Sequence, residues 1–259
     1  MLAAVVLFAL IVALLALRVN LVAVLLILGA YVHLVWGEGE VVYIIEDMWI
    51  ALDKEVLLSI PLFLLVGAIM GRGEIARRLI DVMREMTGAL PGGMAVATIL
   101  TCAVFAAISG SSAVTLIAVG SIAYPSLIRE GYSRRFSLGA LATGGTLGVI
   151  IPPSIPMILY GIATETSIVD LFTAGIIPGL VLVVLLSGYT LAVNRKLARK
   201  GFSLSRLIAA LRAGIWAMLL PVILLGGIYS GYFSPTESAA VALGYAVVIE
   251  MFVHREIRL

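Results

Sequence analysis

Residues 136–156 read Phe-Ser-Leu-Gly-Ala-Leu-Ala-Thr-Gly-Gly-Thr-Leu-Gly-Val-Ile-Ile-Pro-Pro-Ser-Ile-Pro. The stretch is as apolar as a membrane span, yet Pro152, Pro153 and Pro156 fall within its last five residues. Each proline lacks an N–H and restricts the residue before it, so a continuous helix cannot pass through. Inside a bilayer no water satisfies the freed backbone groups, so irregular backbone occurs there only where protein covers it or a cavity is lined by it. A second interruption, Ile108-Ser109-Gly110-Ser111-Ser112, separates the apolar runs Met94–Ile108 and Ala113–Ile128. These two breaks decide the fold: a helical membrane bundle with discontinuous helices.

Composition agrees. Of 259 residues, 62% are hydrophobic and 12% charged, with a mean hydropathy of +1.17; a soluble domain carries roughly 25% charged residues. Further apolar runs lie at Leu2–Leu17, Leu21–Trp36, Val56–Met70, Phe136–Ile151, Ser154–Ala163, Ile168–Val193, Ile215–Phe233 and Ala239–Val253. They do not alternate as barrel strands would. Met1–Leu17 has no basic segment before it and no small-residue cleavage site after it, so it reads as a first span rather than a signal peptide. A net charge of +2 leaves no footprint for nucleic acid, and the lone Cys102, in an apolar run, reads as a small hydrophobe.

Orientation follows from Lys and Arg. If the N-terminus is outside and each full run crosses once, every basic residue but Lys54 falls inside, including Arg134, Arg199 and Arg255. Glu38, Glu165 and Glu237 fall outside. The pair Met94–Ile108 and Ala113–Ile128 leaves from and returns to an inside loop, either as two crossings or as a hairpin entering part-way. The uncharged turn Ser109–Ser112 favours a re-entrant hairpin. Ile75–Met86 and Leu204–Ala213 are amphipathic and are expected to lie along the inner surface, apolar side to lipid.

Chemistry concentrates at the breaks. Ser109, Gly110, Ser111 and Ser112 on one side, and Thr143, Gly145, Thr146, Gly148, Pro152, Pro153 and Ser154 on the other, offer hydroxyls and carbonyls for a desolvated Na⁺. Half-helix N-termini offer N–H groups to a carboxylate. The alternative is that these small residues only let helices pack closely. His33 and His254 read as interfacial residues, and Glu237, beginning a helix after Ser234-Pro235, as a cap or a functional acid. HExxH, Gly-x-Ser-x-Gly and GxxxxGK[ST] are all absent, so neither intramembrane hydrolysis nor ATP hydrolysis has its parts, and no cofactor is expected.

The strings Ala107–Thr115 (AISGSSAVT), Gly145–Pro156 (GTLGVIIPPSIP), Ala174–Gly179 (AGIIPG), Gly226–Tyr229 (GGIY) and Ser234–Val241 (SPTESAAV) together resemble the large membrane subunit of tripartite ATP-independent periplasmic (TRAP) transporters, the DctM type. The resemblance runs along the whole chain. It implies an ion-transporter-like, elevator-type all-α permease of the cytoplasmic membrane, moving a small carboxylate inward with Na⁺. A periplasmic binding protein (DctP type) would deliver the substrate, and a small membrane subunit (DctQ type) would accompany the permease. The Ser-Gly-Ser-Ser turn would be the tip of the first re-entrant hairpin and the Gly-Thr-Leu-Gly…Pro-Pro-Ser stretch the facing broken helix, with Ser109, Ser111, Gly145 and Gly148 as Na⁺ ligands. On this reading residues 1–90 are scaffold, 91–166 the transport part, 167–213 a scaffold helix with a cytoplasmic segment, and 214–259 the start of a second repeat. Val19-Asn20-Leu21 stands where such subunits usually have a proline. Such subunits also contain two inverted repeats, whereas this sequence has one hairpin and one Pro-Pro break. A non-transporting assembly subunit or an inactive fragment is therefore the rival expectation.

Overall fold

A computed structural model describes residues 2–37, 41–197 and 201–255; Glu38 and Arg199, used above for topology, lie outside them. The described residues form helices and turns, and six segments are long and apolar enough to cross a membrane. The chain is a multi-pass membrane protein. It divides into two compact units, Met1–Lys54 and Glu55–Leu259.

The first unit holds α1 (Leu2–Ala16), α2 (Leu21–Trp36) and α3 (Val41–Leu52). Asn20 caps α2, its Oδ1 accepting from Val22 N–H at 2.9 Å, so the helix starts at Val19-Asn20-Leu21 without a proline. Tyr31 Oη donates to the Ala3 carbonyl at 3.0 Å, tying α2 to α1. Helix α3 lies between the apolar runs Leu21–Trp36 and Val56–Met70. His33 Nδ1 lies 3.8 Å from Asp47 across α2 and α3.

The second unit opens with a 3₁₀ turn, Glu55–Leu58, followed by α4 (Ser59–Arg72) and α5 (Glu74–Thr87). Helix α5 is amphipathic as expected, but Ile75, Leu79, Ile80, Val82 and Met83 are buried within the protein, against α6 and α11. Packing on neighbouring helices, not lipid, covers its apolar side. Its N-terminus is held from the far end of the chain. Gly73 offers no capping side chain, and the carboxylate of Glu250 accepts from Glu74 N–H at 3.1 Å and Ile75 N–H at 2.9 Å. Glu250 is fully buried on a π-helical turn, Ile249–His254, and His254 Nδ1 sits 3.3 Å from it. The side chain of His254 is only 3% exposed.

Helices α6 (Gly93–Ser109) and α7 (Ser112–Arg129) form the expected hairpin, and α8 (Arg134–Ile150) with α9 (Ile155–Thr164) the broken helix. Cys102 is buried in α6 against Gly144 of α8. At the opposite end Tyr132 Oη accepts from Ala95 N–H at 3.2 Å, and burial pushes this loop phenol up to about 12, so it stays neutral. Helix α10 (Ile168–Val193) follows, then α11 (Leu204–Tyr229) and α12 (Pro235–Val248). Leu204–Ala213 is not a separate surface helix. Nothing between Arg212 and Ile215 except Gly214 could stop it, and one glycine is tolerated inside a helix. Ser234 and Glu237 form a capping box at the start of α12, with Ser234 N–H donating to Glu237 Oε2 at 2.8 Å and Glu237 N–H to Ser234 Oγ at 3.2 Å.

Candidate functional site

The two breaks meet. Helix α6 ends on Gly110, whose φ of 58° lies in the left-handed region that favours glycine. Its N–H donates back to the Ala106 carbonyl at 3.0 Å. Ser111 then caps α7 with extended backbone, its Oγ accepting from Val114 N–H at 3.5 Å. Across from this tip, α8 stops at Ile150, a cis Pro152–Pro153 bond follows, and Ser154 stands as the N-cap of α9. The carbonyl of Gly110 accepts from Ile155 N–H at 3.1 Å, so one broken helix completes the backbone bonding of the other.

The contact is close because glycines permit it. A Cβ on Gly148 would stand 2.7 Å from the Ser111 carbonyl carbon and 2.8 Å from the Ser112 nitrogen. On the other side of the tip a Cβ at Gly67 of α4 would stand 2.7 Å from the Ser109 Cβ, and one at Gly175 of α10 would stand 2.8 Å from the Ile150 carbonyl oxygen. Ser109, Gly110, Pro152, Pro153 and Ser154 are buried, and Ser111 and Ser112 are half-buried.

Polar groups left over at this crossing define its chemistry. Prolines at 152 and 153 have no N–H to give the carbonyls of Gly148 and Val149, four residues earlier. Ser154 Oγ donates to the Val149 carbonyl; the Gly148 carbonyl loses its helical donor and points along α8 toward the break. Ser109 Oγ lies 3.0 Å from Thr115 Oγ1 and 3.5 Å from the Ser111 carbonyl oxygen. Ser112 Oγ is buried and, among the described residues, has no hydrogen-bond partner. Hydroxyls of Ser109, Ser111, Ser112 and Thr115 thus gather at the start of α7, against the Gly148 backbone of α8. Such a set suits a cation stripped of its hydration shell, with the positive end of α7 available to an anion.

The structure brings together Ser109, Gly110, Ser111, Ser112, Gly145, Gly148, Pro152, Pro153 and Ser154. It does not bring in Thr143 and Thr146. The stretch Thr143–Gly148 was expected to be part of the break, but α8 runs unbroken to Ile150, and both threonines are exposed and bond back to their own helix, to the Gly139 and Thr143 carbonyls at 2.7 Å. Gly-Gly and Thr do not stop a helix that packs on both sides; the prolines do. Thr115 is the group the sequence reading missed. Its place one turn inside α7, on the buried side facing Ser109, was the available signal.

Among known families, the model for the "tripartite ATP-independent periplasmic transporter, DctM component" matches residues 8–259. The chain is 45% identical to the C4-dicarboxylate TRAP transporter large permease protein DctM of Pseudomonas aeruginosa, over 89% of this chain and 55% of that one. It is 42% identical to the isethionate TRAP transporter permease protein DctMQ of Oleidesulfovibrio alaskensis, over 85% and 35%. It is 39% identical to the ectoine TRAP transporter large permease protein TeaC of Halomonas elongata, over 86% and 53%. The chain thus spans about half the length of two of these relatives and less of the third.

Proposed function

Because this chain belongs to the DctM family of TRAP transporter components, we propose that it contributes the hairpin and broken helix of a secondary transporter that takes up a small organic anion together with Na⁺. The family is one of transporters, not enzymes. The substrate class is a carboxylate, such as a C4-dicarboxylate or a sugar acid. Relatives carry the names of C4-dicarboxylate, isethionate and ectoine, so no single substrate follows from kinship. A periplasmic binding protein delivers the anion and a small membrane subunit of the DctQ type accompanies the permease in the cytoplasmic membrane, with the N-terminus periplasmic.

The observation that carries this reading is the crossing of the two breaks, Gly110 carbonyl to Ile155 N–H at 3.1 Å, with the buried Ser112 hydroxyl left without a hydrogen-bond partner among the described residues. Packing alone does not require polar groups to be stranded where lipid surrounds the protein, and each costs free energy when buried without a partner. A Na⁺ held by oxygens of Ser109, Ser111 and Ser112 and the carbonyls of Gly145 and Gly148 would satisfy them. Its charge would draw a substrate carboxylate to the N-terminus of α7. In the proposed cycle the hairpin and the α8–α9 pair move as one body, since the backbone bond between them resists separation.

The experiment is substrate-stimulated ²²Na⁺ uptake in proteoliposomes containing the complete transporter built on this chain, with its binding protein added outside. Ser111→Ala and Gly110→Val should weaken Na⁺ dependence while leaving the protein in the membrane, the valine more severely. An unchanged Na⁺ response in both would return the tip to a packing role.

A further inference from the structure

At the membrane face where α7 turns into α8 and α10 ends, two clefts of about 480 and 540 Å³ lie side by side and share Ser133, Phe136 and Val193 in their walls. They lie on the loop end of α8, away from its broken end. One end of the joint space is basic. Arg135, Arg195 and Lys196 line it and Arg134 adjoins it in sequence; among the described residues none of these four pairs with a carboxylate. The acid on the same loop, Glu130, is engaged by Arg84 at 2.6 Å. Ser133 and Tyr189, which carry hydroxyls, line the space with Arg135, and Ile99 and Leu186 add apolar wall. Tyr189 is 62% exposed and Val193 53%, so the space opens sideways onto the apolar surface of α10.

A charged mouth with hydroxyl donors, apolar walls behind it and a lateral opening at a membrane face match an amphiphile with an anionic head. We infer that this joint cleft is a binding site for an anionic phospholipid, its phosphate among Arg135, Lys196 and the Ser133 and Tyr189 hydroxyls, one acyl chain along Ile99, Leu186 and Val193. A soluble organic anion would use the basic end but would leave the apolar walls wet. The lipid uses both, and it does not depend on the transport reading above.

Gly139 provides a clean test. It lines the cleft, and a Cβ added there meets nothing within 4 Å, so Gly139→Leu projects an apolar side chain into the space without changing a charge. The full chain is purified in detergent with phosphatidylglycerol or phosphatidylcholine added in turn, and bound lipid is read by native mass spectrometry. Phosphatidylglycerol should be retained over phosphatidylcholine. Removing charge with Arg135→Gln and Lys196→Gln together should lower retention by about fivefold for each residue. Gly139→Leu should lower it to the phosphatidylcholine level, while Arg212→Gln, a basic residue on α11, should leave it unchanged. Equal retention of the two lipids, or equal losses in the cleft variants and Arg212→Gln, would overturn the assignment. Displacement of phosphatidylglycerol by excess inorganic phosphate would overturn it too, since the cleft would then be a site for free phosphate.

Discussion

Gly148→Ala is the perturbation whose outcome the structure fixes most directly. In the interior of α8 an alanine is worth about 1 kcal/mol more than a glycine, so on propensity alone the substitution should stabilise. The added methyl, however, would stand 2.7 Å from the Ser111 carbonyl carbon, 2.8 Å from the Ser112 nitrogen and 2.9 Å from the Ser111 oxygen. All three are backbone atoms of the hairpin tip, and none can rotate away as a side-chain end could. Overpacking of this kind costs about 1–3 kcal/mol, and relief requires the tip to move off the broken helix. Gly139→Ala, on the same helix with open space before its Cβ, collects the propensity gain and no overlap. The difference between the two variants cancels the propensity term and isolates the contact, at about 1–3 kcal/mol or roughly 5- to 150-fold in the unfolding equilibrium. Reversible unfolding in mixed micelles with rising dodecyl sulfate, followed by helical circular dichroism, measures it. Gly148→Ala unfolding together with or after Gly139→Ala would refute the claim that the two breaks are pressed together at this glycine.

Glu250→Leu should destabilise the second unit by about 1–3 kcal/mol for each of the two α5 N–H groups left without an acceptor, with Glu250→Gln milder because one oxygen remains; an unchanged melting temperature in the leucine variant would remove Glu250 as the cap. Pro152→Ala with Pro153→Ala, in the complete transporter, should keep expression but abolish substrate-coupled Na⁺ flux per mole of inserted protein, because the restored N–H groups close over the Gly148 and Val149 carbonyls; wild-type flux would mean the break is not the binding element. Single cysteines at positions 165 and 237 should react with an impermeant thiol reagent in intact spheroplasts and those at 134 and 255 should not, with the buried Cys102 giving no background; labelling at 134 would invert the topology.

Much of the site was legible before any coordinates. A single proline is carried inside α7, α10 and α11 at Pro125, Pro178 and Pro221, but Pro152 and Pro153 in succession take away two adjacent N–H donors and break their helix, and Gly110 between serines supplies the left-handed turn. The apolar runs likewise marked the spans, because lipid rewards hydrophobicity whatever the neighbours are. Thr143–Gly148 misled for the opposite reason: Gly and Thr break a helix only if nothing packs on it, and α8 is clasped by α6 and α7. The amphipathic pattern of Ile75–Met86 correctly announced a helix with one apolar side, but lipid and protein are equally apolar covers for it. Only the packing of α6 and α11 chose protein.

Three relations belong to tertiary structure alone. The Gly110–Ile155 bond joins residues 45 apart, Glu250 reaches α5 across 175 positions, and the joint cleft draws its walls from α6, α8 and α10. Composition and periodicity describe how one segment meets its solvent. Which distant carbonyl, carboxylate or cavity it then meets depends on how close two backbones come, and that is settled by the small residues at each crossing and the side chains on both faces at once.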